Sequence, residues 1–319
     1  MRPTRTEPWW ASPLVWVEAL VVANIAFLAV DITLAHAINA FAHWAEWIPI
    51  GFSLTATPLL LLAMRLGGVV PALAGEEPPG HKWRARIARW IGLAVGWGAV
   101  TVGVAGLIWH LKSDFFQHQT LKNLVYTAPF AAPLAYSGLG LLLILNRMVA
   151  SESLDWARWV ILLAAGGFAG NFALCLADHA QNGFFYPTEW IGVVSSAIAV
   201  GFLIGGFAHP ESRPLITLNL AIMAGQVAVG GLGFVLHIRG SLANRVESLW
   251  DTIVYGAPMF APLLFCDLAL LATLGLWAQS QALARAEGGA FQAEPALASS
   301  SGGAGRLGGW LADSGGRGL

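Results

Sequence analysis

"HAINAFAHWAEW", residues 36–47, lies between two apolar runs yet carries two histidines, an asparagine and a glutamate. The stretch "HAQNGFFYPTEW", residues 179–190, puts His, Ala, Asn, Phe, Glu and Trp at the same places. Each stretch links the end of one long apolar run to the start of the next. The reading of those runs decides the fold.

A membrane-crossing helix needs roughly 20 apolar residues. Eight such runs occur, near 14–41, 48–66, 90–111, 124–146, 156–176, 191–207, 215–236 and 253–277. None alternates polar with apolar, so a membrane barrel is excluded and the spans are helices. Composition agrees. The chain is 56% hydrophobic, only 11% charged, and has a mean hydropathy of +0.64. A soluble domain carries about 25% charged residues, so lipid is the expected solvent of most of this surface. A net charge of −1 gives no reason to expect a nucleic acid partner. The first run is too long for the core of a cleavable signal peptide.

A second pair of related stretches shows how the runs are organised. "YTAPFAAPL" (126–134) opens the fourth run and "YGAPMFAPL" (255–263) opens the eighth. Each follows a run that ends in His and a basic residue, "WHLK" with His110 and "LHIR" with His237. The expected fold class is therefore an all-α integral membrane protein of eight transmembrane helices, built as two tandem four-helix repeats of parallel orientation. Residues 14–148 form the first repeat and 156–277 the second. A cytoplasmic N-terminus (1–13), a linker (149–155) and a disordered Gly/Ser-rich cytoplasmic tail (278–319) complete the division. Within each YxAPxxAPL stretch the prolines stand four apart and are expected to bend the helix.

Lysine and arginine set the orientation. Arg65, Arg84, Arg86, Arg147, Arg158 and Arg213 fall on one side, against Lys112, Lys122, Arg239 and Arg245 on the other. The positive-inside rule then places both termini in the cytoplasm of a bacterial inner membrane, with the opening motif outside.

Each pair of helices carries a histidine near the outer end of its first member: His36, His110, His179 and His237. Polar groups inside a bilayer are costly and face an interior site. Imidazole is the commonest protein metal ligand, and haem iron in a bundle is held by histidines from facing helices. Pairing His36 with His110 and His179 with His237 gives one haem b per half, with Lys112 and Arg239 near the propionates. A bare copper or iron ion could instead draw on His43, Glu46, His118, Asp178 and Glu189. Asn39 and Asn182, three residues after their histidines, would support the ligands if the helix continues. The activity implied is electron transfer or oxidoreduction with a redox partner or other membrane subunits. Two other readings fit the same residues. One is a transport route for a small solute or metal ion, lined by His, Asn and Glu at its outer mouth. The other is a structural subunit in which these side chains cap helix ends.

Two further acids stand inside apolar runs. Glu18, about a turn from the cytoplasmic start of the first helix, is expected to snorkel to water. Asp267 lies near mid-span, where a proton-relay role is open to it. The two cysteines, Cys175 and Cys266, read as small core residues. No P-loop, CxxC, GxSxG or HExxH motif occurs.

The topology is tested by single-cysteine labelling with a membrane-impermeant thiol reagent. Cysteines placed at Asn39 and Gln181 are expected to label from outside, and one at Gly80 only from the cytoplasm. Outside labelling at Gly80 would overturn the orientation.

Overall fold

The computed structural model describes residues 9–67, 82–243 and 248–301, with side chains described from 10 to 287. All regular structure among the described residues is helical. The helices are α1 (Pro13–Ala37), α2 (Trp47–Arg65), α3 (Lys82–Ser113), α4 (Leu121–Tyr126), α5 (Leu134–Met148), α6 (Leu154–Gln181), α7 (Glu189–Ala208), α8 (Arg213–Ala243), α9 (Leu249–Val254) and α10 (Leu263–Ser301). Seven of them are long and apolar enough to cross a membrane, which is the fold of an all-α membrane protein.

Local chemistry sets several helix starts. Pro13 occupies the first turn of α1, where a missing N–H costs no hydrogen bond. Ser153 Oγ accepts from the Trp156 N–H at 3.1 Å, Thr120 Oγ1 from Asn123 at 3.2 Å and Ser248 Oγ from Asp251 at 3.0 Å. These bonds satisfy N–H groups that a helix start otherwise leaves unpaired.

The fourth expected span is not one helix. The six residues of α4 and the 15 of α5 are separated by a non-helical segment, 127–133. Residues 255–262 separate α9 from α10 in the same way. The proline stretches therefore break the helix where a bend was expected. Each proline removes a donor and its ring clashes with the carbonyl four residues back, so two of them four apart prevent the intervening turn from closing.

The chain departs from expectation at three other places. α1 and α6 stop one and two residues past their histidines, so Asn39 and Asn182 lie in turns and not on a continuing helix. The reason is a switch to left-handed backbone at Ala40, Phe41, Gly183 and Phe184. At the other terminus α10 runs to Ser301, past the tail boundary expected at 278; apolar and alanine-rich sequence continues the helix. Residues 1–8, most of the N-terminal segment, and 302–319, the end of the tail, lie outside the described residues.

The helices pack as two rings. α1 lies against α2 and α5, and α3 against α2 and α5; α6 and α8 are related in the same way to α7 and α10. Contacts of α1 with α10 and of α5 with α6 join the rings. Val17, Val21, Ile25, Trp156, Phe168 and Ala272 belong to the core of buried side chains. α3 and α5 approach closely at Gly96 and Gly140, where a Cβ added to Gly96 would lie 3.0 Å from the Gly140 carbonyl oxygen and one added to Gly140 would clash with the Gly96 carbonyl oxygen.

Glu18 does not reach water. Its carboxylate is fully buried and receives two bonds from the Arg147 guanidinium of α5, Nη2 to Oε1 at 2.5 Å and Nη1 to Oε2 at 3.1 Å. Asn146 Nδ2 donates to Glu18 Oε2 at 2.8 Å, and Asn146 Oδ1 accepts from Trp156 Nε1 at 3.2 Å, which extends the network to α6. The fixed guanidinium fork satisfies both carboxylate oxygens without a path to solvent. Gly92 leaves the space, since a Cβ there would overlap the guanidinium. Deeper in, Asn24 Nδ2 donates to Asp267 Oδ1 at 2.8 Å and ties α1 to α10.

Removing one partner of a buried pair strands the other charge, at a cost of about 3–5 kcal/mol. Glu18→Ala is expected to lower the unfolding free energy in detergent by about that much, and the double change Glu18→Leu, Arg147→Met to recover most of it.

Candidate metal site

Two histidine pairs form at one end of the rings. His36 of α1 faces His110 of α3 with ring centres 6.3 Å apart and planes at 84°. His179 of α6 faces His237 of α8 at 6.4 Å and 85°. In each case the two parent helices lie across a ring from one another, so the imidazoles meet over its interior.

The proline breaks determine how two of these rings are held. In a helix the Pro129 carbonyl would accept from the N–H of residue 133, but Pro133 has none. The Pro129 oxygen accepts instead from the Ala132 N–H at 3.1 Å, and His110 Nδ1 donates to it as well, at 2.8 Å. Pro258 repeats the pattern, with the Ala261 N–H at 3.2 Å and His237 Nδ1 at 2.8 Å from its oxygen. A carbonyl can only accept, so Nδ1 carries the proton and Nε2 of each neutral ring carries the lone pair. The tautomer follows from the backbone.

The partner histidines face carboxylates. His36 Nδ1 is 3.8 Å from Glu46 Oε2, and His179 Nδ1 is 3.5 Å from Glu189 Oε2. Both Oε2 atoms are buried and have no hydrogen-bond partner among the described residues. Among the described residues, Nε2 of none of the four histidines has a hydrogen-bond partner either.

The two glutamates are steadied differently. Asn39 Nδ2 donates to Glu46 Oε1 at 2.9 Å. In the other pair the Tyr186 N–H donates to Glu189 Oε1 at 3.4 Å, and the exposed Asn182 side chain makes no hydrogen bond among the described residues. Asn182 therefore does not repeat the role of Asn39. It sits at the end of α6, where its own N–H turns back to the His179 and Ala180 carbonyls.

Phe41 and Phe184 complete the surroundings and are not evident in the sequence as site residues. Both have positive φ, 54° and 52°, an unusual state for an aromatic residue. Their N–H groups bond back to the His36 and His179 carbonyls at 3.2 and 3.0 Å. The rings stack on Trp47 and Trp190 at 4.4 and 4.0 Å, which offsets the backbone strain, and stand 6.3 and 6.2 Å from His36 and His179.

The remaining candidates stand apart from the pairs. His43 is exposed and lies against the Trp44 and Trp109 rings. His118 is exposed in the turn before α4, with its carbonyl accepting from Thr120. Asp178 is half-buried beside His179, without a hydrogen bond or ion pair among the described residues. Lys112 and Arg239 are exposed two residues beyond His110 and His237 and are likewise unpaired. No group of three or more His, Cys, Asp or Glu side chains among the described residues could hold a metal ion. The mixed set of His43, Glu46, His118, Asp178 and Glu189 is thus not assembled, because His43 and His118 sit on outward turns. Cys175 Sγ packs by Gly192 and Cys266 Sγ by Gly230.

Comparison of the chain with known protein families, with curated proteins and with solved structures found no match.

Pro133→Ala supplies the missing N–H and lets it compete for the Pro129 carbonyl. In protein with 15N-labelled histidine, the His110 ring is expected to change from a single Nδ1–H form to a tautomer mixture, while His237 keeps its form. An unchanged His110 signal would show that the proline does not set the tautomer.

Proposed function

We propose that this chain is an eight-helix membrane protein made of two tandem four-helix copies, each holding a His-ligated metal cofactor near the outer membrane face, and that it serves in electron transfer or oxidoreduction. One observation carries the reading. In each ring of helices two histidines face one another with Nδ1 engaged by a carbonyl or set against a carboxylate, and with Nε2 unengaged. Metal-bound histidines characteristically direct their other ring nitrogen to such an oxygen, which fixes the tautomer and the ring orientation.

The duplication is supported by equivalent partners. His36 and Glu46 correspond to His179 and Glu189, and His110, Pro129 and Pro133 to His237, Pro258 and Pro262. Four helices per copy give both copies one orientation, so the two sites share a face. The charge bias assigns that face to the outside of a bacterial inner membrane and both termini to the cytoplasm. A redox partner or another membrane subunit would then meet the sites from the outer side.

Metal analysis of protein purified in mild detergent tests this reading. Two metal ions per chain are expected in the wild type and one in His110→Ala, whose remaining site is built on His179 and His237. Full metal content in His110→Ala and His237→Ala, or a wild-type protein that neither contains nor takes up metal, would overturn it.

A further inference from the structure

We infer that the cofactor is haem, with one iron held axially between His36 and His110 and another between His179 and His237. The inference rests on the reading of these pairs as metal ligands and narrows it to one chemical class.

Ligand number favours haem. Each site offers two imidazoles; Glu46 and Glu189 lie beside one of them on its Nδ1 side, at 3.8 and 3.5 Å, and among the described residues no group of three or more His, Cys, Asp or Glu side chains could hold a metal ion. Structural zinc takes four protein ligands and catalytic zinc three, and bare iron(II) or copper(II) sites likewise draw on further histidines or carboxylates. Haem iron already has four porphyrin nitrogens and requires only axial ligands from the protein. Copper(I) accepts few ligands but favours sulfur. Cys175 lies one turn before His179, whereas Ile32 holds that position before His36, so no sulfur from this position serves both sites.

Spacing is the second argument. Two imidazoles bonded through Nε2 to one metal at about 2.0 Å each have ring centres roughly 6 Å apart along a straight axis. The observed separations are 6.3 and 6.4 Å, the same in both halves. The parent helices stand across a ring from one another, which is where a cofactor plane lying between the imidazoles has to enter. Charge agrees. Lys112 and Arg239 stand exposed at the same rim, two residues past a ligand in each half and without ion-pair partners among the described residues, so each site has a cation for a propionate.

The test uses the full-length protein in mild detergent, titrated with hemin and then reduced with dithionite. A Soret band with the visible bands of six-coordinate iron is expected, saturating at two haems per chain. His110→Ala and His110→Gln are each expected to saturate at one haem per chain; the glutamine can still donate to the Pro129 carbonyl and so guards against misfolding. The double variant Lys112→Ala, Arg239→Ala is expected to bind hemin several-fold more weakly with unchanged band shape. Copper or non-haem iron at two per chain, with no Soret band even after hemin addition, would overturn the haem assignment and leave the metal-ligand reading standing. Saturation at two haems in both His110 variants would also overturn it. A protein that takes up neither metal nor hemin would overturn both.

Discussion

Two prolines four residues apart stop a helical turn from closing, and the placing of the histidines depends on the carbonyl at that break. Pro133 and Pro262 remove the N–H groups that would have closed turns onto Pro129 and Pro258. The breaks between α4 and α5 and between α9 and α10 follow. So does the engagement of His110 and His237, which reach those oxygens at 2.8 Å and share them with the Ala132 and Ala261 N–H groups. Once those rings are fixed, the direction of Nε2 is fixed too, and the second histidine of each pair comes to it from across the ring of helices. A backbone defect near the end of the bundle is thereby converted into an oriented imidazole.

The parts of this arrangement differ in how openly the sequence states them. The apolar runs are legible because a span demands about 20 residues with few charges, and the depth of each histidine is legible by counting from the run's end. The partner of a histidine is less so. The spacing of Pro129 from Pro133 equals the spacing of a helical hydrogen bond, and that is the signal from which the broken turn could have been read. Nothing local announces the left-handed turn at Phe41, since an aromatic residue disfavours it; the stacking on Trp47 that stabilises it depends on how the chain folds back. Glu18 shows the same limit. Its distance from the start of α1 suggests access to water, while its actual environment is set by an arginine on another helix.

The two rings are alike where the histidines sit and unlike elsewhere. The Glu18–Arg147 pair belongs to the first ring and its extension through Asn146 and Trp156 reaches the second. Asn24 and Asp267 join α1 to α10 with a single bond of 2.8 Å. The Trp156–Asn146 and Asn24–Asp267 bonds lie on the seam between the rings, while Ser53–Tyr136 and Ser195–Gln226 tie helices within them. Buried polar pairs of this kind add little net stability over apolar packing, but they penalise a wrong register strongly. Hydrophobic packing holds the rings; the seam contacts specify how one ring meets the other.

The clasp between Glu18 and Arg147 also bears on how the chain is made. The arginine follows the glutamate by 129 positions. At a synthesis rate of 5–20 residues per second, the carboxylate of α1 waits on the order of ten seconds for its counter-charge. During that interval α1 cannot settle in lipid with a bare ion in its flank; it must be shielded at the membrane edge or by the insertion machinery. Completion of α5 ends the wait, because it brings Arg147 alongside together with the glycine surface against α3. The first four-helix ring is thus released to the bilayer as a unit whose last helix neutralises its first, and α6 is handed a partner whose charges are already closed.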